Sequence, residues 1–208
     1  MTDQGEQEAR ELGERLRGVK FSRVFTSPLQ RARRTSELAA LNRVAEIEPD
    51  LAEWDYGDYE GQTTVDIRKT RPDWNVFRDG CPHGESPSQV SERADRVIAR
   101  IRNLDGNIAV FSHGHFGRVI AVRWIGLPLT QAQHLVLTTA SVSILGYEHN
   151  LAEEPAIVLW NAFANEFFGL APKQGVADKG GIAEKKAIER WENEGGQILA
   201  RNKMLNHG

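Results

Sequence analysis

The sequence predicts an α/β fold in which helices cover a mainly parallel sheet. Helical and strand patterns alternate along most of the chain, which is typical of βα units. With 208 residues and 40% hydrophobic content, the chain is long enough for one full domain. We therefore expect one α/β domain at residues 1–168, followed by a linker and a charged helical tail at 169–208.

The first half of the predicted domain begins with an amphipathic helix. Ala9, Leu12 and Leu16 repeat at helical spacing, between a capping start at Thr2 and a stop at Gly18. The elements predicted after it are a strand at 22–26, a helix at 28–41, a strand at 44–48 and a short helix at 65–70. This last helix lies within a glycine- and aromatic-rich insertion, 53–85, which resembles a structured cover over a site.

The second half repeats the alternation and then turns to strands. The predicted elements are a long helix at 87–103, a strand at 108–110, a helix at 116–127 and strand-like runs at 135–138, 141–148 and 156–160. Within the tail, 169–181 forms a glycine-bearing linker and 182–194 a charged helical pattern with few apolar residues. The tail suggests an appended helix and no chemistry.

Composition excludes several partner classes. Lysine and arginine number 26 against 29 aspartates and glutamates, and a net charge of −3 does not suggest a nucleic-acid surface or a polybasic membrane patch. A single cysteine, Cys81, cannot form an intrachain disulfide. The acidic start lacks the features of a signal peptide, and no apolar run is long enough to span a bilayer. We expect a soluble cytoplasmic protein.

The most informative motif is Phe111-Ser112-His113-Gly114-His115, which follows an apolar strand and precedes an amphipathic segment. Such a turn puts an imidazole where open α/β sheets place ligands, and glycine lets a backbone N–H approach an anion closely. The following helix brings its positive N-terminal end to the same spot. This geometry suits phosphate, although a structural histidine fits the same pattern.

Two further motifs carry groups suited to phosphate chemistry. Arg31 lies just inside the helix that follows the first strand, and its planar fork can bind two phosphate oxygens at once. Glu53 and Glu60 stand in an aromatic-rich stretch, where desolvation can raise a carboxyl pKa as a general acid requires. The alternatives are a surface arginine and solvated acids on a packed aromatic loop.

A third motif precedes the long helix. Glu85 and Ser86 follow Gly84 at the start of that helix. They could contact substrate, or they could simply cap the helix.

Taken in order, these motifs strongly resemble the histidine phosphatase superfamily, whose fold is phosphoglycerate-mutase-like. The resemblance runs from about Thr2 to Asn161 and implies a three-layer α/β/α sandwich. It implies Glu53 as proton donor and His113 as the second catalytic histidine. It also implies phosphate or substrate contacts, assigned to Arg31, Gly114, Glu85, Ser86 and His115.

The residues of these motifs are most similar to those of the acid phosphatases and the sedoheptulose-bisphosphatase-like enzymes within that superfamily. The lid insertion of the mutases is not visible between Glu53 and Glu85, which favours hydrolysis. The expected function is hydrolysis of phosphate monoesters, either small phosphorylated metabolites or sugars.

One family motif has no counterpart here. The family begins with an interior strand that ends in Arg-His-Gly and carries the nucleophilic histidine, and this sequence contains no Arg-His-Gly. We therefore expect a domain that lacks the family's first strand, an unpaired gap in its sheet and nearly abolished turnover.

Three functions stay open from the sequence. They are a phosphatase, impaired in this form; a catalytically silent protein that binds phosphorylated ligands; and a metal hydrolase using His113 and His115 with His83 or Glu85. For the phosphatase we expect no cofactor and no metal. The expected partner is a small phosphorylated substrate, with no nucleic acid and no membrane, in a chain that could form a homodimer.

Overall fold

In the computed structural model, which describes residues 1–41, 44–162 and 197–201, helices and strands alternate as the sequence predicts. The helices are α1 (Asp3–Arg15), α2 (Gln30–Leu38), α3 (Thr64–Thr70), α4 (Val76–Asp79), α5 (Pro87–Arg102) and α6 (Gly114–Trp124). The strands are β1 (Arg23–Thr26), β2 (Glu46–Ile47), β3 (Asn107–Phe111), β4 (Val142–Tyr147), β5 (Pro155–Ala162) and β6 (Gln197–Arg201). Short 3-10 turns, 49–51 and 57–59 among them, connect these elements.

Local capping explains where two of the long helices begin. The Thr2 side chain accepts a hydrogen bond from the Gly5 N–H at 3.2 Å, which starts α1 at the predicted place. At α5, Ser86 and Gln89 form a reciprocal capping box, and Pro87 occupies the first turn. The start of α5 is therefore set by Ser86, just before the helix, and by Gln89 in its first turn.

The strands form one six-stranded sheet in the order β2-β1-β3-β6-β4-β5. Strands β1, β2 and β3 are parallel to one another. Strand β6 is antiparallel to β3 and parallel to β4, and β4 is antiparallel to β5. Four strands thus point one way, so the sheet is mainly parallel with β4 and β6 reversed.

Strand β6 is not predicted from the sequence, and it contradicts the predicted gap in the sheet. Strand β6 pairs along its length with β3 on one side and β4 on the other. The interior of the sheet is therefore closed across the described strands, by a segment from the region predicted to be a helical tail. The predicted linker at 169–181 and charged helix at 182–194 lie outside the described residues.

Helices cover both faces of the sheet, as the three-layer prediction requires. Side chains of β1 and β3 alternate between two apolar clusters, with Phe25 and Val110 in one and Val24 and Ala109 in the other. The larger cluster contains the buried faces of α5 and α6, and the smaller one contains Leu12 of α1 and Leu16, the residue that caps its C-terminus.

Two details differ from the sequence prediction. The run at 135–138 is not a strand; it follows a 3-10 turn at 129–134, and the Thr138 N–H bonds to the Asn161 side chain instead of a neighbouring strand. The insertion at 53–85 holds a second short helix, α4, beside the predicted one. No helix in the described part of the chain combines the length and apolar character needed to cross a bilayer.

Candidate active site

Arg31, Glu53 and His113, which the motif order predicts to converge, lie together at the carboxyl ends of β1 and β3. The Arg31 Nε donates to His113 Nδ1 at 3.0 Å, although 82 residues separate the two. His113 Nε2 lies 2.7 Å from the Ser27 hydroxyl, at the end of β1. Ser27 and His113 are both fully buried, so this pair forms a rigid support for the guanidinium of Arg31.

The protonation state of His113 follows from these contacts. An arginine N–H can only donate, so Nδ1 accepts and the ring proton is on Nε2, directed to Ser27. Burial, followed by the charges of Arg31 and Arg93, lowers the pKa of His113 to about 3. His113 is therefore a neutral imidazole that orients Arg31.

Glu53 follows the 3-10 turn at 49–51, and its half-buried carboxylate caps the start of α6. One carboxylate oxygen, Oε1, accepts from the N–H of Phe116 and from that of Trp54, each at 2.9 Å. The other, Oε2, accepts from the His115 N–H at 3.2 Å. Burial raises the pKa of Glu53, while these N–H bonds and the charge of Arg31 oppose the rise. A carboxyl group with a raised pKa suits a general acid.

The anion at the N-terminus of α6 is thus the chain's own Glu53. The sequence analysis expects the backbone of Gly114 and the helix N-terminus to receive phosphate. In the structure Gly114 is the first residue of α6, and the two N–H groups after it bind the carboxylate. A phosphate near Arg31 would therefore lie beside Glu53.

His115, a predicted substrate contact, lines the pocket and contacts two aromatic rings. Its Nδ1 lies 2.5 Å from the Tyr56 hydroxyl, and its ring packs edge-on against Phe77 at 5.3 Å between centroids. Burial lowers the pKa of His115 to about 3 and raises that of Tyr56 well above its usual range. Both side chains are therefore neutral at physiological pH.

Arg93, which the sequence analysis missed, holds the backbone around Glu53. It forms a bidentate pair with Glu85 at 2.7 and 2.9 Å. It also donates to the carbonyls of Asp50, Ala52 and Glu53, and its guanidinium lies 4.0 Å above the ring of Phe116. The available signal was an arginine on the apolar face of α5, between Val90 and Val97, where a buried charge requires a partner.

Glu85 and Ser86 lie outside the pocket, so the geometry does not support their assignment to substrate binding. Glu85 is committed to Arg93 and to the N–H of Asp55. Ser86 is the N-cap of α5, which was the alternative. Glu85 and Ser86 therefore stabilise the backbone around the pocket and do not line it.

Arg31, Glu53 and His115 open onto one pocket whose other wall comes from the 53–85 insertion. That wall holds aromatic, hydroxyl and amide side chains together with Glu60. The pocket as a whole is lined by Arg31, Glu53, Tyr56, Tyr59, Glu60, Gly61, Gln62, Thr63, Thr64, Ile67, Trp74 and His115.

The ligands considered for a metal hydrolase do not come together. His83 is exposed and pairs with Asp58 at 2.8 Å, while Glu85 is bound to Arg93. Throughout residues 1–41, 44–162 and 197–201, no three histidine, cysteine or acidic side chains are grouped as metal ligands would be.

The sequence is similar to those of known phosphatases. An acid phosphatase from Mycobacterium tuberculosis is 41% identical over 157 residues, covering 74% of this chain and 77% of the relative. Sedoheptulose 1,7-bisphosphatase from Saccharomyces cerevisiae is 34% identical over 200 residues, covering 68% of this chain and 73% of the relative.

Solved structures show the same fold. The product of an open reading frame of Mycobacterium tuberculosis superposes with a TM-score of 0.73 at 38% identity, covering 79% of this chain and 85% of that one. The α-ribazole phosphatase from Shigella flexneri shares the fold with a TM-score of 0.63 at 24% identity, over 77% and 83% of the two chains. The family model of the histidine phosphatase superfamily (branch 1) matches residues 1–162. Together with the geometry of the site, these matches establish that the chain belongs to the histidine phosphatase superfamily.

Proposed function

We propose that the site belongs to a phosphatase that hydrolyses phosphate monoesters of small metabolites or sugars. The observation that carries this proposal is the convergence of Arg31, oriented by a neutral His113, with the partly buried carboxyl of Glu53 in one pocket. An arginine fork binds phosphoryl oxygens, and a carboxyl with a raised pKa can protonate a leaving alkoxide. The relatives named as acid phosphatase and sedoheptulose 1,7-bisphosphatase support the same class.

Each residue has a separate role in the proposed reaction. Arg31 holds the phosphoryl oxygens, and His113 keeps the guanidinium in place. In a phosphohistidine mechanism a histidine nitrogen bonds to phosphorus as the ester P–O bond breaks, and Glu53 would give its proton to the departing ester oxygen. The resulting carboxylate would then take a proton from the water that attacks phosphorus and releases the histidine. This reaction requires no metal and no cofactor.

The nucleophile is the part that these 208 residues do not supply. A phosphohistidine mechanism needs the histidine of Arg-His-Gly, and His83, His134, His149 and His207 are preceded by other residues than arginine. Loss of a covalent nucleophile costs about a million-fold in turnover where it has been measured. We propose that this chain binds phosphate monoesters weakly and hydrolyses them near background.

Two assays test this proposal. Hydrolysis of an aryl phosphate by residues 1–208 is expected near background, whereas the same chain preceded by an Arg-His-Gly-bearing strand is expected to turn over without added metal. In that active form, Glu53→Gln should slow substrates with poor leaving groups most, because they depend on the proton. Robust, chelator-insensitive turnover by the unextended chain, lost on changing His113 or His115, would overturn the assignment.

A second candidate is a silent binding protein. It is favoured by β6, which closes the interior of the sheet across the described strands. Inorganic phosphate binding that depends on Arg31, without turnover in the extended form, would identify it. For either function we propose a cytoplasmic protein, with a homodimer as one assembly to test. The balanced charge of the chain supports a protein with no nucleic-acid or membrane partner.

A further inference from the structure

One wall of the pocket consists of side chains other than Arg31 and Glu53, the two groups proposed to handle the phosphate. This wall, called here the outer wall, consists of residues 59–64 together with Ile67 and Trp74. It belongs to the insertion at 53–85, on the C-terminal side of Glu53, and is separate from α2, which holds Arg31. An inference from it rests on the proposed function, because it assumes that Arg31 receives the phosphate.

The described lining of the pocket holds more acidic than basic side chains. Arg31 is the one cationic side chain among the described lining residues, whereas Glu53 and Glu60 are both acidic. Glu53 is committed to the N-terminus of α6, but Glu60 is an exposed residue of the outer wall. Arg71 lies behind that wall, donating to the Tyr59 hydroxyl at 3.2 Å, and does not line the pocket. The outer wall thus presents a negative charge to whatever lies beyond the phosphate.

The remaining side chains of the outer wall suit a hydroxyl-bearing group. The ring of Tyr59 is held edge-on to Trp74 at 5.4 Å between centroids, and Trp74 is fixed in turn by its indole N–H to the Gly80 carbonyl. An aromatic ring fixed in this way can pack against the C–H face of a sugar. Gln62 is anchored through its amide nitrogen to the Asp58 carbonyl at 2.8 Å, and its carbonyl oxygen can accept from a hydroxyl. A carboxylate such as Glu60 accepts from hydroxyls as well.

We propose that the pocket selects phosphate monoesters of uncharged, polyhydroxylated compounds, and that Glu60 is the residue that rejects a second phosphate or carboxylate. A phosphate placed against the outer wall would face the Glu60 charge with no lysine or arginine from the described lining to offset it. A sugar hydroxyl in the same place would donate to that carboxylate. The yeast relative is named for a bisphosphate, so this selectivity would distinguish the two proteins.

Binding of two esters of one sugar tests the proposal without requiring turnover. Fructose 6-phosphate and fructose 1,6-bisphosphate differ by one phosphate, and inorganic phosphate reports Arg31 alone. Titrations of the 208-residue chain followed by NMR should show fructose 6-phosphate binding more tightly than inorganic phosphate. At low salt, fructose 6-phosphate should bind about tenfold more tightly than fructose 1,6-bisphosphate. This difference in affinity should decrease as salt is added, because salt screens the Glu60 charge. Glu60→Gln should reduce this preference.

The matched control is Asp58→Asn, which removes an acidic charge two residues away that does not line the pocket. It should leave the preference unchanged. A wild-type chain that binds the bisphosphate as tightly as fructose 6-phosphate, or an equal effect of the two substitutions, would overturn the role of Glu60. Tighter binding of phosphoethanolamine than of fructose 6-phosphate would assign the outer wall to a cationic group instead. If inorganic phosphate shows no binding that Arg31→Ala removes, the proposed function fails and the selectivity fails with it.

Discussion

Replacing Arg93 by methionine should destabilise the protein severely. Arg93 and Glu85 form an ion pair whose side chains are only 9% and 20% exposed. Arg93→Met keeps an unbranched chain over Phe116 but leaves the Glu85 carboxylate without its counter-charge. It also removes the donor to the carbonyls of Asp50, Ala52 and Glu53. Breaking a buried pair from one side costs about 3–5 kcal/mol, because an uncompensated charge remains.

That loss is a large share of the roughly 5–15 kcal/mol by which domains are stable. Urea unfolding followed by tryptophan fluorescence would measure it, since Trp54 bonds to the backbone of Glu85. Glu85→Gln breaks the same pair from the other side, leaving the Arg93 charge uncompensated and one acceptor oxygen in place of two, so it should also cost about 3–5 kcal/mol. The double variant should be more stable than the sum of the two losses implies. A loss below about 1 kcal/mol for Arg93→Met, or strict additivity in the double variant, would refute the argument from buried charge.

Three further predictions concern pH and the sheet. Because the pKa of buried His113 falls from 6.5 to about 3 on folding, the unfolded chain takes up a proton below pH 6.5 that the folded protein refuses. Stability should fall by about 2 kcal/mol between pH 6.5 and 5 from this group, and His113→Gln should lose less over that range in denaturant titrations. The pKa of Glu53 is raised on folding, so the folded protein keeps its proton where the unfolded chain has released it, and stability should fall as pH rises above the ordinary value of 4.5. Glu53→Gln should flatten that slope in the same titrations. Leu199→Pro removes a backbone donor in the middle of β6, where Leu199 pairs with Ala109 and Ile144. It should lower the free energy of unfolding by about 3 kcal/mol and expose surface that binds a hydrophobic dye. An unchanged melting temperature would show that β6 adds nothing to the stability of the sheet.

Elements with strong local signals were predicted correctly from the sequence. Capping residues and apolar spacing located α1 and α5, and apolar runs located β1 and β3. The helix predicted at 28–41 is shorter, α2 at Gln30–Leu38, because apolar spacing defines helix ends poorly. The run at 135–138 is wrong as a strand because Leu137 is buried in an irregular segment, and apolar character alone does not separate the two.

Strand β6 could not have been predicted from its own residues. Gln-Ile-Leu-Ala-Arg at 197–201 mixes good helix formers with one β-branched residue, two glycines after a charged helical pattern. Its extended conformation depends on pairing with β3 and β4, which no local pattern encodes.

The motifs indicated which segments come together but not every side-chain orientation. Arg31 and Glu53 line one pocket, whereas His113 does not line it, because its ring is directed to Ser27 and Arg31. Glu85 was assigned to substrate because the family resemblance implied it, with capping of the following helix as the alternative. It faces Arg93 instead, since a buried cation on α5 required a partner. Contacts between distant buried polar groups decide such orientations, and a single sequence does not display them.

The place of β6 has a consequence for how the protein is made. Strands β1 to β3 and strands β4 and β5 form two groups that are joined through β6. Translation proceeds from the N-terminus, so both groups leave the ribosome before residues 197–201 exist to connect them. Ala109 pairs with Leu199, which is added to the chain 90 residues later. The pairing of β3 with β6 therefore forms only after residues 197–201 have been synthesised. During that interval the facing edges of β3 and β4 offer unpaired backbone, which other chains can pair with.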